Sequence, residues 1–203
     1  MSGKSEYVAR VASISRKTGE SSVSVTLDLD SGPLANVKTP IGMLTHMLDQ
    51  LARHGALALT LTAEGDIGTG VHHVSEDTAI VLGRCLDEAL DERRGIVRMG
   101  HAIVPLDEAL AQVALDVSGR GYPVIELGAG RGGGEFDLEM ARHFLESFAI
   151  ESRLGLHVRI LAGQNEHHIM EATFKGLARA LRMAIARDDK APLSVPSTKG
   201  TLT

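Results

Sequence analysis

"GVHHVSEDTA" (residues 70–79) and "NEHHIMEATF" (165–174) carry one arrangement: two adjacent histidines, with a glutamate four positions after the first. The flanking sequence matches too. "HMLDQLARHGALALTLTAEG" starts at His46 and "HFLESFAIESRLGLHVRILAG" at His143. Each runs histidine, apolar residue, leucine, acid, then a strand-like stretch, then HHxxE. His143 follows His46 by 97 residues and His167 follows His72 by 95, a difference that two loop residues absorb. A chain that writes this order twice is an internal duplication, expected to pack as two halves about a pseudo-twofold axis. The halves are residues 1–95 and 96–203, the second ending in a C-terminal tail.

Hydrophobic periodicity fills in the elements. Alternation predicts strands at 7–15, 23–30, 56–64, 101–106, 111–119, 122–127 and 156–163. Helical stripes cover 41–55, 72–91, 136–155 and 167–187. The fold class is α+β, built from duplicated βαβα-containing units. No long Pro/Ser linker separates the halves. The glycine-rich "GAGRGGGE" (128–135) reads as a connecting loop, since it lacks the Gly-Lys-Ser/Thr pattern of a phosphate cradle.

Composition narrows the class. The 203 residues are 43% hydrophobic and 23% charged, as expected of an ordinary globular protein. The net charge of −5 gives no reason to expect nucleic acid or an anionic membrane as partner. No apolar run is long enough to span a bilayer, and "MSGKSEYVARVAS" has no signal-peptide core. Cys85 is the single cysteine, so no intrachain disulfide can form, which fits a cytoplasmic location. It falls on the apolar side of a predicted helix and is expected to be buried there. Histidine is the unusual count. There are nine, and seven of them fall in three clusters: His46 with His54, His72 with His73, and His143 with His167 and His168.

On a helix, residues i and i+4 share a face, which pairs His72 with Glu76 and His167 with Glu171. His73 and His168 lie about 100° round the helix and face elsewhere. A lone histidine pair is more often a solvated surface pair, and an isolated HxxxE a helix hydrogen bond. Duplication of the whole pattern argues for metal ligation instead. Imidazole plus carboxylate suits a borderline divalent cation such as Mn, Fe, Co, Ni or Zn. His46 and His143 bring the ligands to six histidines and two glutamates, enough for two His₃Glu sites. Helix geometry suggests one site from His72, Glu76, His143 and His168. A pseudo-symmetric one would use His167, Glu171, His46 and His73. An octahedral ion would keep two positions open in each.

With those residues in view, the chain resembles the imidazoleglycerol-phosphate dehydratase family. The matching stretches are "HMLDQLARHG", "HHVSEDTAIVLG", "VPLDEALA", "SGRGYPV", "GQNEHHIMEATFKGLARAL" and "PSTKG". The resemblance runs from residue 15 to residue 202. It implies a fold of the ribosomal protein S5 domain 2-like kind and two Mn²⁺ ions per active site at subunit interfaces. It also implies a homo-oligomeric shell of twenty-four subunits. The implied reaction converts D-erythro-imidazole-glycerol phosphate to imidazole-acetol phosphate in histidine biosynthesis. Two Lewis acids on the ring nitrogens would stabilise an imidazolate, whose electrons expel the neighbouring hydroxide.

The resemblance also assigns roles. Glu20 of "RKTGE" matches an acid/base position, and Glu171 and His46 join it as catalytic candidates among the ligands. Arg98, Arg120, Lys175, Ser197 and Lys199 match phosphate- or substrate-binding positions, and Arg suits a phosphate dianion through paired hydrogen bonds. Gln50 and Arg53, one turn beyond His46, could line the pocket. The chain departs from the family where Thr45 precedes the helix histidine and Gly70 and Val71 precede HH, positions usually acidic. Two rival readings are a divergent di-metal hydrolase acting on a small phosphate ester and a non-catalytic metal-binding shell protein. The cluster of Arg98, Arg120 and Lys199 favours a phosphorylated substrate over the shell.

Overall fold

The computed structural model describes residues 9–202 apart from 69, 131 and 133. The start of the expected 7–15 strand, most of the N-terminal segment, and two positions of the glycine-rich loop lie outside the described residues. The first half runs β1 (Val11–Lys17), β2 (Ser21–Asp28), β3 (Leu34–Lys38), α1 (Gly42–Gly55), β4 (Ala58–Gly65) and α2 (His72–Leu90). The second repeats it as β5 (Met99–Leu106), β6 (Ala109–Asp116), β7 (Tyr122–Glu126), α3 (Leu138–Glu151), β8 (Gly155–Ala162) and α4 (Glu166–Ala184). The sheets have orders β1-β2-β4-β3 and β5-β6-β8-β7, mixed in the same way, with the last pair parallel. This is the duplicated α+β architecture that the repeat predicts.

Strand β3 is the element that periodicity does not announce. "LANVK" is exposed at four of five positions and carries no alternation. Its pairing with β4, from Leu34 opposite Ala58 to Lys38 opposite Thr62, makes it a strand. The helix expected over 136–155 is shorter. Asp137 caps it by accepting from the backbone N–H groups of Glu139 and Met140, so it starts at Leu138. The chain leaves it through Arg153, whose φ is 57°.

Each sheet buries one face under its own half's helices. In β2 the inward residues are Val23, Val25 and Leu27, and in β6 they are Ala111, Val113 and Leu115. Helix α2 covers β1 and β2, and α4 covers β5 and β6. The halves then join helix to helix, α1 on α4 and α2 on α3, so one hydrophobic core runs through both. Phe144, Phe148 and Phe174 are fully buried in it, each contributing about 1.5–3 kcal/mol of transfer free energy. Cys85 is buried there as well, and desolvation pushes its thiol up to about 11.

Two glycines set close approaches. Gly95 (φ 60°) lies under the C-terminal tail, where a Cβ would meet the Pro192 carbonyl oxygen at 2.3 Å. Gly100 lets β5 approach α4, and a Cβ there would lie 1.9 Å from the Ala180 carbonyl oxygen and 2.9 Å from the Ala184 nitrogen. Both obstacles are backbone and cannot rotate away. Gly100→Ala should therefore destabilise the fold by at least about 3 kcal/mol, read as a lowered urea midpoint. An unchanged midpoint would contradict this packing.

Candidate metal centre

The helix seams bring the histidines together. Helices α1 and α4 pack with their N-terminal turns at one end, which sets His46 beside His167 and Glu171. Helices α2 and α3 do the same for His72, Glu76 and His143. In each of the two triads, one ligand atom per residue lies within 4.8 Å of the others. Two ligands come from the HHxxE helix of one half and one from the first helix of the other half.

In the first triad, His46 Nε2 and His167 Nε2 approach one oxygen, Glu171 Oε2, at 3.2 and 3.1 Å. The two rings stack with centroids 5.6 Å apart. In the second, His143 Nε2 lies 3.4 Å from Glu76 Oε1, and the His72 and His143 rings stack at 4.5 Å. His143 Nε2 is buried and makes no hydrogen bond among the described residues. A buried nitrogen without a partner is costly, and a cation beside it would remove that cost. Two imidazoles and a carboxylate form a donor set that fits a borderline divalent metal with coordination positions to spare.

The second histidine of each pair stands outside its triad. His73 Nδ1 is 3.2 Å from Glu20 Oε2, and His168 Nδ1 is 2.6 Å from Glu108 Oε2. The histidines owe their direction to local chemistry. Asn165 caps α4 by accepting from the N–H groups of His167 and His168, which fixes the first turn. Helix α2 has no side-chain cap among the described residues; its second turn is tied to the β1–β2 hairpin through Asp77. Arg16, Ser21 and Thr18 all hydrogen-bond that buried carboxylate.

The electrostatics of the triads differ. Burial pushes the Glu171 carboxyl up, but Lys175, 2.7 Å away, and His46 outweigh it and hold the group down at about 2. His54, hydrogen-bonded to Gln50 at 3.2 Å, is pushed down by burial and by Lys175, Arg179 and Arg53. The His46–His167–Glu171 triad is thus flanked by cations. At the position of Lys175 in the repeat, the other triad has Ile80.

The remaining phosphate-binding candidates lie elsewhere in the chain. Arg98 (φ 77°) donates to both oxygens of Asp116 and, through Nη1, to the Pro196 carbonyl at 2.8 Å. It thereby holds the tail that carries Ser197 and Lys199. Arg120 lines a cleft of about 560 Å³ with Asp116, Ser118 and Tyr122. The Arg98 N–H bonds the Ala184 carbonyl at the C-terminal end of α4, whereas His167 and Glu171 sit near its N-terminus. At about 1.5 Å per residue, the helix separates them by roughly 20–25 Å. Lys175, Gln50 and Arg53 accompany a triad within one chain, and Arg98, Ser197 and Lys199 do not.

Two groups escaped the sequence reading, Asp77 and Glu108. Glu108 could have been found by the repeat. It stands one residue before β6 as Glu20 stands one before β2, so it takes Glu20's place in the second half.

Glu171 gives a pH test in metal-free protein. Its pKa is lower folded than unfolded, so its contribution is complete above about pH 5 and is lost as pH falls toward 2. The stability gap between the parent chain and Glu171→Gln, measured by urea unfolding, should therefore narrow across that interval. A gap that widens on acidification would refute the assignment.

Comparison with known proteins points one way. Residues 39–181 match the family model described as imidazoleglycerol-phosphate dehydratase. The chain is 50% identical over 194 residues to imidazoleglycerol-phosphate dehydratase of Dehalococcoides mccartyi, covering 95% of this chain and 97% of that protein. It is 48% identical to the Streptomyces avermitilis enzyme, covering 96% and 100%. The crystal structure of IGPD from Pyrococcus furiosus in complex with (S)-C348 superposes with a TM-score of 0.80 at 35% identity, over 93% of this chain and 100% of that one. The Staphylococcus aureus structure gives 0.77 at 34% identity, over 87% and 99%. A duplicated fold with a histidine–carboxylate triad across each helix seam, together with identity over nearly the whole length, makes this chain a member of the imidazoleglycerol-phosphate dehydratase family.

Proposed function

We propose that the chain is a hydro-lyase that converts D-erythro-imidazole-glycerol phosphate to imidazole-acetol phosphate in histidine biosynthesis, in the cytoplasm. The observation that carries this reading is the pair of cross-half triads in a chain half identical to the Dehalococcoides mccartyi dehydratase. Two divalent ions, manganese in our reading, would be held by His72, Glu76 and His143 and by His46, His167 and Glu171. When bound, they would supply Lewis acidity to the substrate's imidazole ring.

Each triad gains its fourth ligand from another copy of the chain: His168 for the His72–Glu76–His143 triad, His73 for the His46–His167–Glu171 triad. Two facts support an assembled site. His73 and His168 face away from their own triads, and about 20 Å of helix separates the Arg98 tail anchor from Glu171. A homo-oligomer, twenty-four chains in the resembled family, can bring both sets to one substrate. No helix among the described residues is long and apolar enough to cross a membrane.

The side chains divide the work. The hydroxyl beside the ring leaves, and a proton leaves the neighbouring carbon. Glu20, a solvent-facing carboxylate beside His73, takes that proton. The resulting enol becomes the ketone when the carbon next to the ring is protonated. Lys175, Arg98, Arg120, Ser197 and Lys199 clamp the phosphate, and Gln50 and Arg53 line the wall near His46. A metal-storing shell would have no use for that clamp.

The test is direct. Metal-free protein given Mn²⁺ and the imidazole-glycerol phosphate should form the enolisable ketone, and chelation should stop it. No product with any divalent metal would refute the reading. Glu20→Gln should lower kcat by at least about 100-fold while metal content stays normal. Glu171→Gln should lose metal, by elemental analysis. Equal metal loss in both would contradict the division of roles.

A further inference from the structure

The turn between β5 and β6 carries a carboxylate held at every useful oxygen. Glu108 Oε1 accepts the backbone N–H groups of Gln164 at 3.2 Å and Asn165 at 2.8 Å, and Oε2 meets His168 Nδ1 at 2.6 Å. Two backbone donors fix the carboxylate, and the fixed carboxylate fixes the ring. Both backbone bonds come from the cap that starts α4, so the imidazole is referenced to the helix twice, through its own backbone and through Glu108. The twin in the other half differs. Glu20 approaches His73 Nδ1 at 3.2 Å, but its side chain is 64% exposed, against 41% for Glu108.

We infer that Glu108 is the positioning residue for His168, holding a proton on Nδ1 and presenting Nε2 as the atom that ligates a metal in a neighbouring copy. This rests on the metal reading above. An imidazole that donates Nδ1–H to a carboxylate is locked in one tautomer and ring orientation, and its other nitrogen, which in His168 lies 3.6 Å from the exposed Asp107 Oδ2, becomes the better ligand. The two hairpin glutamates then have separate duties. Glu108 is spent on holding a ligand, and Glu20, which has no such backbone clamp among the described residues, stays free to move a proton.

The experiment is manganese titration of metal-free protein by calorimetry, with metal content by elemental analysis, on the parent chain, Glu108→Gln, His168→Ala and the double variant. The parent should take up two equivalents per chain. Glu108→Gln should bind one equivalent with parental affinity and the other about 10- to 100-fold more weakly. In the His168→Ala background, Glu108→Gln should cause no further loss. Glu108→Asp retracts the carboxylate by one methylene and should behave as Glu108→Gln does, which covers the case of a poorly folding amide variant. Parental affinity for both equivalents in Glu108→Gln would overturn the inference while leaving the metal reading intact. So would an added loss in the His168→Ala background, since Glu108 would then merely anchor the loop. A parent chain that takes up no manganese would overturn the metal reading itself.

Discussion

Everything at the site depends on the packing of helix against helix across the repeat. Two ligands of each triad sit one turn apart on an HHxxE helix, a spacing that any helix supplies. The third arrives only because α1 lies on α4 and α2 on α3. Those seams are closed by apolar burial and by small residues, with Gly83 facing the Phe148 carbonyl and Gly55 the Ala178 carbonyl. The hydrophobic effect provides the closing force, and the polar donors are carried into place by it.

The pseudo-symmetry is strict in topology and loose in chemistry. In the first half, Asp77 binds Arg16, Ser21 and Thr18 and ties the β1–β2 turn to α2. The positions corresponding to Asp77, Arg16 and Ser21 in the second half are Ala172, Val104 and Ala109, all buried and apolar. There the turn is fastened by Glu108 instead, through the N–H groups that begin α4. Each half needs one anchor for its hairpin, and the two halves use different ones. Because Asp77 already fastens the first turn, Glu20 is released from that task.

Much of this was legible before any coordinates. The repeat gave the number of halves, and the i, i+4 rule gave the His–Glu pairs. The cross-half grouping of His143 with His72, and of His46 with His167, followed from assuming two halves in contact. Strand β3 was not legible, because "LANVK" is an exposed strand whose pairing is decided by β4. Nor was the contact that Asp77 or Glu108 makes, although the repeat marks Glu108 as the counterpart of Glu20. Both act by meeting groups distant in sequence, and acids near turns are usually solvated. The placement of Arg98 at the far end of α4 was equally hidden, since a single residue's position along a packed helix leaves no periodic trace.

Neither half can complete a triad by itself, so the seam between halves belongs to the proposed metal centre as much as to the fold. A bulkier side chain at Gly83, many ångströms from any ligand, would meet the Phe148 carbonyl at 2.9 Å and wedge α2 from α3. Such a lesion touches no reacting atom, yet its chemical effect would be that of deleting His143. In this architecture, the line between a scaffold residue and a site residue runs through the distance between two helix axes.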